Sequence, residues 1–357
     1  MYFVIDEVHL ICYTTTSDCV TETCEARNRR SSCGGSFSLF EVNAMAVSKP
    51  FLSYTQQMDK LEIEKNLTIN DRTFAENTLK MISYFALISG YKDLFHNPTT
   101  KQYKDGTTFE EIVALYKFDE NLRELFLKYL LRIERNMRSL MSYYFTELFG
   151  EQQIAYLSNS NYDSNPKNKH RIARLIQKLS SIANTSTEYR YIAYHRNTYN
   201  NVPLWVLVNV LTFGNISKMY QCFKQGLRIK VSKNFDKVNE KELEQHLKVL
   251  TKFRNVCAHN ERLFSYRTDE AIPDTVLHMK LGIPKKGTTY TYGKNDLFAV
   301  VIAFRYLLPK SDFVIFKKNL GRIIEHFCKQ SNHITQMSLL EHMGFSSNWK
   351  KISTYRI

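Results

Sequence analysis

Glycine and proline are scarce in this 357-residue chain, at 12 and 7 residues. Scarcity of both argues against a turn-rich β architecture and for helices. No apolar run approaches the ~20 residues that a membrane span needs. The longest candidate, 204–213, is interrupted by Asn209 and Thr212. The seven cysteines are odd in number, and none makes a Cys-x-x-Cys or a Cys/His pair at zinc-finger spacing. With no signal peptide at the start, this usage fits a reducing cytoplasm and implies no metal or cofactor. The phosphate-cradling G-x-x-x-x-G-K-[ST], a G-x-G-x-x-G at a strand-to-helix turn, H-E-x-x-H and G-x-S-x-G are all missing, so the sequence shows no other recognised catalytic set.

What the chain has in excess is positive charge. Against 35 acidic residues stand 49 basic ones, a formal net charge of +14. A field of that sign attracts polyanions, and nucleic acid is the partner it favours. Aromatics are plentiful, with 22 Tyr and 23 Phe.

Residues 1–44 read differently. Asp6, Glu7, Asp18, Glu22, Glu25 and Glu41 outnumber Arg27, Arg29 and Arg30, and four cysteines (Cys12, Cys19, Cys24, Cys33) crowd there. Met45 then opens AVSKPFLSYTQQMDKL, which reads as a natural start. The expectation is that 1–44 is a non-native upstream extension or a disordered tail. The rest divides into a helical region over 45–160, a motif-bearing core over 161–270 and a further helical region over 271–357.

From 51 to 94 the pattern is helical, with one stripe at Tyr54, Met58 and Leu61 and another at Phe74, Leu79, Ile82 and Phe85. The longest helix is expected over 109–149, apolar at Ile112, Leu115, Phe118, Leu122, Leu125, Tyr129, Ile133 and Met137. Glu134, Arg135 and Arg138 lie off that stripe, either on a solvated face or in a functional role. His170 to Asn184 is a basic amphipathic helix with Arg171, Arg174 and Lys178 on one side, a solvated face or a groove for RNA backbone. Residues 190–201 are dense in Tyr, Arg, His and Asn, suited to stacking unpaired bases or to capping a core. Trp205 and Phe213 are expected in the core, Gly214 at a helix stop or kink, and Pro284 to Thr289 in an exposed turn or short hairpin. Asp296 to Leu308 and Phe313 to Phe327 read as two more helices.

The stretch that organises the rest is 240–267, EKELEQHLKVLTKFRNVCAHNERLFSYR. Leu243, Leu247, Leu250, Cys257 and Phe264 fall on one helical stripe, and Arg254 falls in the middle of it. A guanidinium there must find an anion, a carboxylate or water. Asn255, His259 and Arg262 share another face. A fixed cation, a titratable imidazole, an amide and a second cation suit a phosphodiester: cations hold the phosphate and histidine moves a proton.

Arg254-Asn255-x-x-x-His259 resembles the R-x4–6-H motif of HEPN ribonucleases. A second R-x4-H, Arg190 to His195, shows how readily the bare pattern arises. RNVCAHNERL, together with LYKFDENLR (115–123), the following E-R-N-M-R-S, W-x-L-V-x-x-x-T-F-G (205–214) and the tail MGFSSNWKKI, resembles the Abi (abortive infection) family of phage-defence proteins, AbiD/AbiF-like, from about 49 to 352. Asn209 departs from that pattern, where an acidic residue is expected.

The resemblance implies an all-α fold, a HEPN-type helical bundle core with additional N- and C-terminal helices. It implies metal-independent RNA cleavage through a 2′,3′-cyclic phosphate in a toxin-like or antiviral protein. Arg254, Asn255 and His259 would be catalytic. Arg262 would hold a flanking phosphate, Glu134 would orient Arg254 or His259, and Arg135 and Arg138 would contact RNA. Thr251 and Glu261 are supporting candidates. Residues five apart point about 140° apart on an ideal helix, so one motif does not converge by itself. A homodimer, or completion by RNA or a partner protein, is expected. The alternative is an RNA-binding protein in a ribonucleoprotein with a small noncoding RNA, its Arg254 paired with a buried carboxylate and His259 capping a helix.

Overall fold

The computed structural model describes residues 50–357. The expectations for 1–44, with Cys12, Cys19, Cys24 and Cys33, lie outside the described residues. Helices α1 (Tyr54–Asp59) and α2 (Arg72–Ile82) lead to α3 (Phe109–Phe149), a single helix of 41 residues. At 1.5 Å per residue this is a rod of about 60 Å. Thr108 caps its start, and the Glu111 side chain reaches back to the Thr108 N–H to close a capping box. Gly150, at φ 86°, lets the chain leave the far end.

Short helices α4 (Gln153–Leu157), α5 (Lys169–Thr185), α6 (Arg190–Tyr199) and α7 (Leu204–Leu207) follow. Then come α8 (Phe213–Cys222), α9 (Gln225–Ser232) and α10 (Glu240–Ala258). The rest is α11 (Val276–Lys280), the two-residue strands β1 (Lys285–Lys286) and β2 (Thr289–Tyr290), α12 (Leu297–Leu307), α13 (Lys310–Cys328) and α14 (Gln336–His342). The fold is all-α, and β1–β2, an antiparallel hairpin, is its one sheet among the described residues. No helix among them is long and apolar enough to cross a membrane.

Residues 52–357 form one unit. α3 is its axis because it is buried along two rows. The expected row at Ile112, Leu115, Phe118, Leu122, Leu125, Tyr129, Ile133 and Met137 is buried. A second row, at Tyr116, Asp119, Arg123, Phe126, Leu130, Glu134, Met137, Met141 and Phe145, is buried as well. α10 and α13 pack most extensively on this helix, with α7, α8 and α9 joining α10. Aromatic rings fill the α13 side, where Phe126 meets Phe316 edge-on at 5.1 Å and Phe118 meets Phe327 at 4.8 Å. The C-terminal region returns to the start of α3, where Glu111 accepts the Asn332 N–H and the His333 Nδ1 contact, each at 2.7 Å.

Several side chains depart from the expected pattern. Phe85 is 80% exposed because Ser83, at φ 69°, ends α2 and resets the helical phase before it. Trp205 is 46% exposed, on the outer side of the single turn of α7, whereas Phe213 is buried as expected. Gly214 stops nothing: it lies in the first turn of α8, where a Cβ would stand 3.5 Å from the Thr251 methyl of α10. α10 itself ends at Ala258, so Phe264 reaches the core from a loop rather than along a helical stripe.

His246 of α10 is fully buried, with its ring stacked on Tyr306 at 6.0 Å. Burial, then His278 and Lys294, push its pKa down to about 3. Unfolding lets this imidazole take up a proton near its ordinary value, so stability is lost as pH falls from about 6.5 toward 3. We expect a contribution of about 1.4 kcal/mol per pH unit across that window, removed in His246→Phe. Parallel stability–pH curves for the two proteins in chemical denaturation would refute it.

Candidate functional site

α10 carries the RNVCAH motif, and its apolar residues explain its placement. Leu243, Leu247, Leu250 and Phe253 are buried against α3, α8 and α12. Arg254 sits within this packed stripe, and the anion it requires is Glu134 of α3. The Arg254 Nε lies 3.3 Å from Glu134 Oε2. Glu134 is buried, so it does not belong to a solvated face: it lies on the second buried row of α3. Its other oxygen accepts from Arg138 Nη2, which also donates to the Leu211 carbonyl ahead of α8. One carboxylate therefore holds two guanidinium groups and joins α3, α10 and the α7–α8 connection. Both arginine side chains keep 23% of their surface. Among the described residues the Arg254 Nη groups have no hydrogen-bond partner.

The helix then ends in a tight C-terminal turn. His259 is the residue after α10, and Asn260 follows at φ 57°, a left-handed position that asparagine tolerates. The Glu261 N–H returns to the Val256 carbonyl at 3.1 Å, and the His259 N–H to the Asn255 carbonyl at 2.9 Å. Asn255 and His259, one turn apart, are exposed, and neither side chain has a hydrogen-bond partner among the described residues. No hydrogen bond joins His259 to Arg254.

Because the chain turns at Asn260, Arg262 leaves the face it was expected to share with Asn255 and His259. Its Nη1 instead contacts the Gly90 carbonyl and Asp93 Oδ2, the latter at 3.1 Å. The other basic candidates are dispersed. Arg135 is exposed and lines a cleft with Arg132 and Asp312, apart from Arg254. Arg171, Arg174 and Lys178 are exposed on α5, where Arg171 donates to Asn168 at 3.0 Å. Of the supporting candidates, Thr251 bonds back to Leu247 within α10, and Glu261 offers its carbonyl to Arg123. The second R-x4-H lies on α6, where the His195 ring rests between Tyr194 and Tyr199 rather than on Arg190.

The polar centre that positions the segment after the motif was not anticipated. Asp119, fully buried, accepts from Tyr91 Oη at 2.7 Å, Arg123 Nη1 at 2.7 Å, and the backbone N–H groups of Leu263 and Phe264 at 2.9 and 2.7 Å. Four donors on one carboxylate fix the backbone just past Arg262. Asp119 and Arg123 are the charged pair of LYKFDENLR. Their place at three-and-four spacing with Tyr116, Phe126 and Leu130 was the available signal.

A family model described as Abi-like protein matches residues 77–265, more than half of the chain. The chain belongs to the Abi-like protein family. The matched stretch runs from α2 to just past the backbone that Asp119 holds, and so contains Glu134, Arg138, Arg254, His259 and Arg262. Membership points to abortive infection, a form of phage defence. The chain matches no curated protein and no solved structure.

The buried carboxylates Asp119 and Glu134 differ in what surrounds them. Asp119 and Arg123 are both nearly inaccessible, whereas the partners of Glu134 are part-exposed. Asp119→Asn is expected to destabilise by about 3–5 kcal/mol, the usual cost of stranding a buried charge. Glu134→Gln should cost about 1–2 kcal/mol, since water can reach its arginines. Urea unfolding of both variants checks the order, and a cost for Glu134→Gln equal to that of Asp119→Asn would contradict it.

Proposed function

We propose that the protein is a metal-independent endoribonuclease of the HEPN type acting in abortive infection. The observation that carries this reading is the end of α10. An exposed imidazole and an exposed amide, without a hydrogen-bond partner among the described residues, share the last turn of α10 with a guanidinium anchored through Nε with its Nη groups open. The positive charge of the chain supplies the attraction for RNA.

In this reading His259 takes the proton from a ribose 2′-OH as its oxygen attacks the adjacent phosphorus. The Arg254 Nη groups neutralise charge on the phosphorane oxygens, and Glu134 keeps the guanidinium in place. Asn255 orients the 2′-OH or the imidazole. The P–O5′ bond breaks, leaving a 2′,3′-cyclic phosphate, and the departing 5′-oxygen takes a proton from a second acid. One chain has one such histidine at its motif, so a homodimer supplying His259 twice is the arrangement we favour.

A second reading is favoured by the pairing of Arg254 with Glu134 and of Arg262 with Asp93. Cations already matched to carboxylates suit a structural motif in an RNA-binding protein, held in a ribonucleoprotein with a small noncoding RNA.

Cleavage of single-stranded RNA in EDTA separates the two. Wild type should yield 2′,3′-cyclic phosphate ends, identified by mass. His259→Ala and Arg254→Ala should each be slower by about 10²–10⁴-fold, and activity per chain should rise with protein concentration. Equal cleavage by all three proteins would refute the catalytic assignment. No cleavage by any, with a discrete RNA retained by all, would establish the second reading.

A further inference from the structure

The stretch 164–235 holds twelve basic residues and one acidic residue, Glu188, and so carries +11 of the chain's net +14. Among the described residues only Arg228 and Lys230 of the twelve are in ion pairs, with Glu244 and Glu147. Cations so little matched set up a field that draws in polyanions. The same field opposes docking of a second copy on this stretch, since like charges would be brought together.

α6 lies within this stretch, and its side chains divide between two sides. Ile192 is fully buried, and Arg196 turns inward to donate to the Ala183 and Ser186 carbonyls, each at 3.0 Å, which pins the helix to the end of α5. Outward, Tyr191, Tyr194 and Tyr199 are 42%, 55% and 59% exposed, so these rings do not cap a core. Nor are they scattered. Tyr194 and Tyr199 meet edge-on at 5.9 Å, and the His195 ring lies 5.8 Å from the first and 5.4 Å from the second. Arg190 is exposed one turn before Tyr194. Single exposed aromatics are ordinary on a protein surface, whereas a group of them marks a place where something binds. α7 packs on both α6 and α3, and Leu211 just past it is tied to Glu134 through Arg138, so this face belongs to the same packed unit as the motif.

We propose, resting on the reading that this chain acts on RNA, that the outer face of α6 holds unpaired bases of a single-stranded RNA by stacking. Tyr194 and Tyr199 are the platforms, and Arg190 holds an adjoining phosphate. Every base has a π face, so the grip tolerates any sequence. A duplex, whose bases already stack on one another, offers nothing to these rings. α6 carries no residue of the motif, so this face sets how tightly a strand is held rather than the chemistry at phosphorus.

The test uses a fluorescein-labelled 12-nucleotide single-stranded RNA, with anisotropy measured in EDTA on the full chain carrying His259→Ala and freed of nucleic acid by high salt. Tyr194→Ala with Tyr199→Ala should weaken binding at least tenfold, from the loss of two stacked bases. The slope of log affinity against log salt should not change, and neither should the melting temperature, because both rings are exposed. Tyr194→Phe with Tyr199→Phe keeps the rings and should bind within threefold of the parent. Arg190→Gln should weaken binding and lower the salt slope by about 0.7, the value of one phosphate contact on a single strand. Phe51→Ala with Phe85→Ala, a control pair of exposed aromatic rings ahead of α3, should weaken it less than threefold. Binding of a duplex of the same sequence should not depend on the tyrosines.

The proposal is overturned if the Tyr→Ala pair behaves like the control pair, if the Tyr→Phe pair loses as much as the Tyr→Ala pair, or if the single strand does not bind at all. Equal loss of duplex binding in the Tyr→Ala pair overturns it as well. A dimer that dissociates in the Tyr→Ala pair by analytical ultracentrifugation, with RNA affinity unchanged, would make this a self-association face and overturn it too. Cleavage by the protein with His259 intact is scored separately, so loss of the nuclease reading alone leaves the binding result to decide the role of α6.

Discussion

A single buried carboxylate, Glu134, sets the relation between the long helix α3 and the motif helix α10. A charge on the second buried row of α3 is tolerable only if it is matched, and Arg254 and Arg138 match it from two directions. The requirement works both ways, because Arg254 occupies an apolar stripe and Glu134 is its one ion-pair partner among the described residues. α10 can therefore rotate or slide on α3 only by taking Arg254 away from Glu134 and leaving that buried carboxylate with Arg138 alone. The pair fixes the guanidinium more rigidly than packing alone would, since Nε is committed, while the outer nitrogens have no hydrogen-bond partner among the described residues.

Asp119 does the equivalent work for the chain after the motif. α10 ends in a left-handed residue at Asn260, and a loop leaving such a turn has many possible courses. Two backbone N–H groups bound to Asp119 select one of them and deliver Arg262 to Gly90 and Asp93. The motif is thus held from below by Glu134 and from behind by Asp119, while Asn255 and His259 project from its end.

Much of this was legible in the sequence, and the limits are physical. The register of α3 could be read because its apolar residues recur at three and four. Arg254 could be seen to need an anion because its neighbours on the stripe are apolar. Periodicity carries no information across the 120 positions to Glu134; that carboxylate could be named only as a candidate to orient Arg254 or His259, and the structure pairs it with Arg254. A one-row reading of α3 leaves Asp119, Arg123 and Glu134 outside the core, and only packing on two sides brings them in. The face proposed for Arg262 failed for a local reason, the turn at Asn260. Phe85 and Trp205 failed because a single non-helical residue or a one-turn helix resets the phase on which hydrophobic patterns depend.

α3 also bears on how the chain can be divided. The stretch that defines family membership ends at 265, yet the rod at its centre has a ladder of aromatic side chains, Phe118, Phe126 and Tyr129, covered by α12 and α13 from beyond that point. Glu111 likewise depends on 331–333 for its partners. A chain cut after the matched stretch would present that ladder to water as an exposed greasy seam. The recognisable part of the molecule and its smallest folding unit are therefore not the same length: the first is a stretch of sequence, the second a cooperative block that needs the C-terminal helices to close.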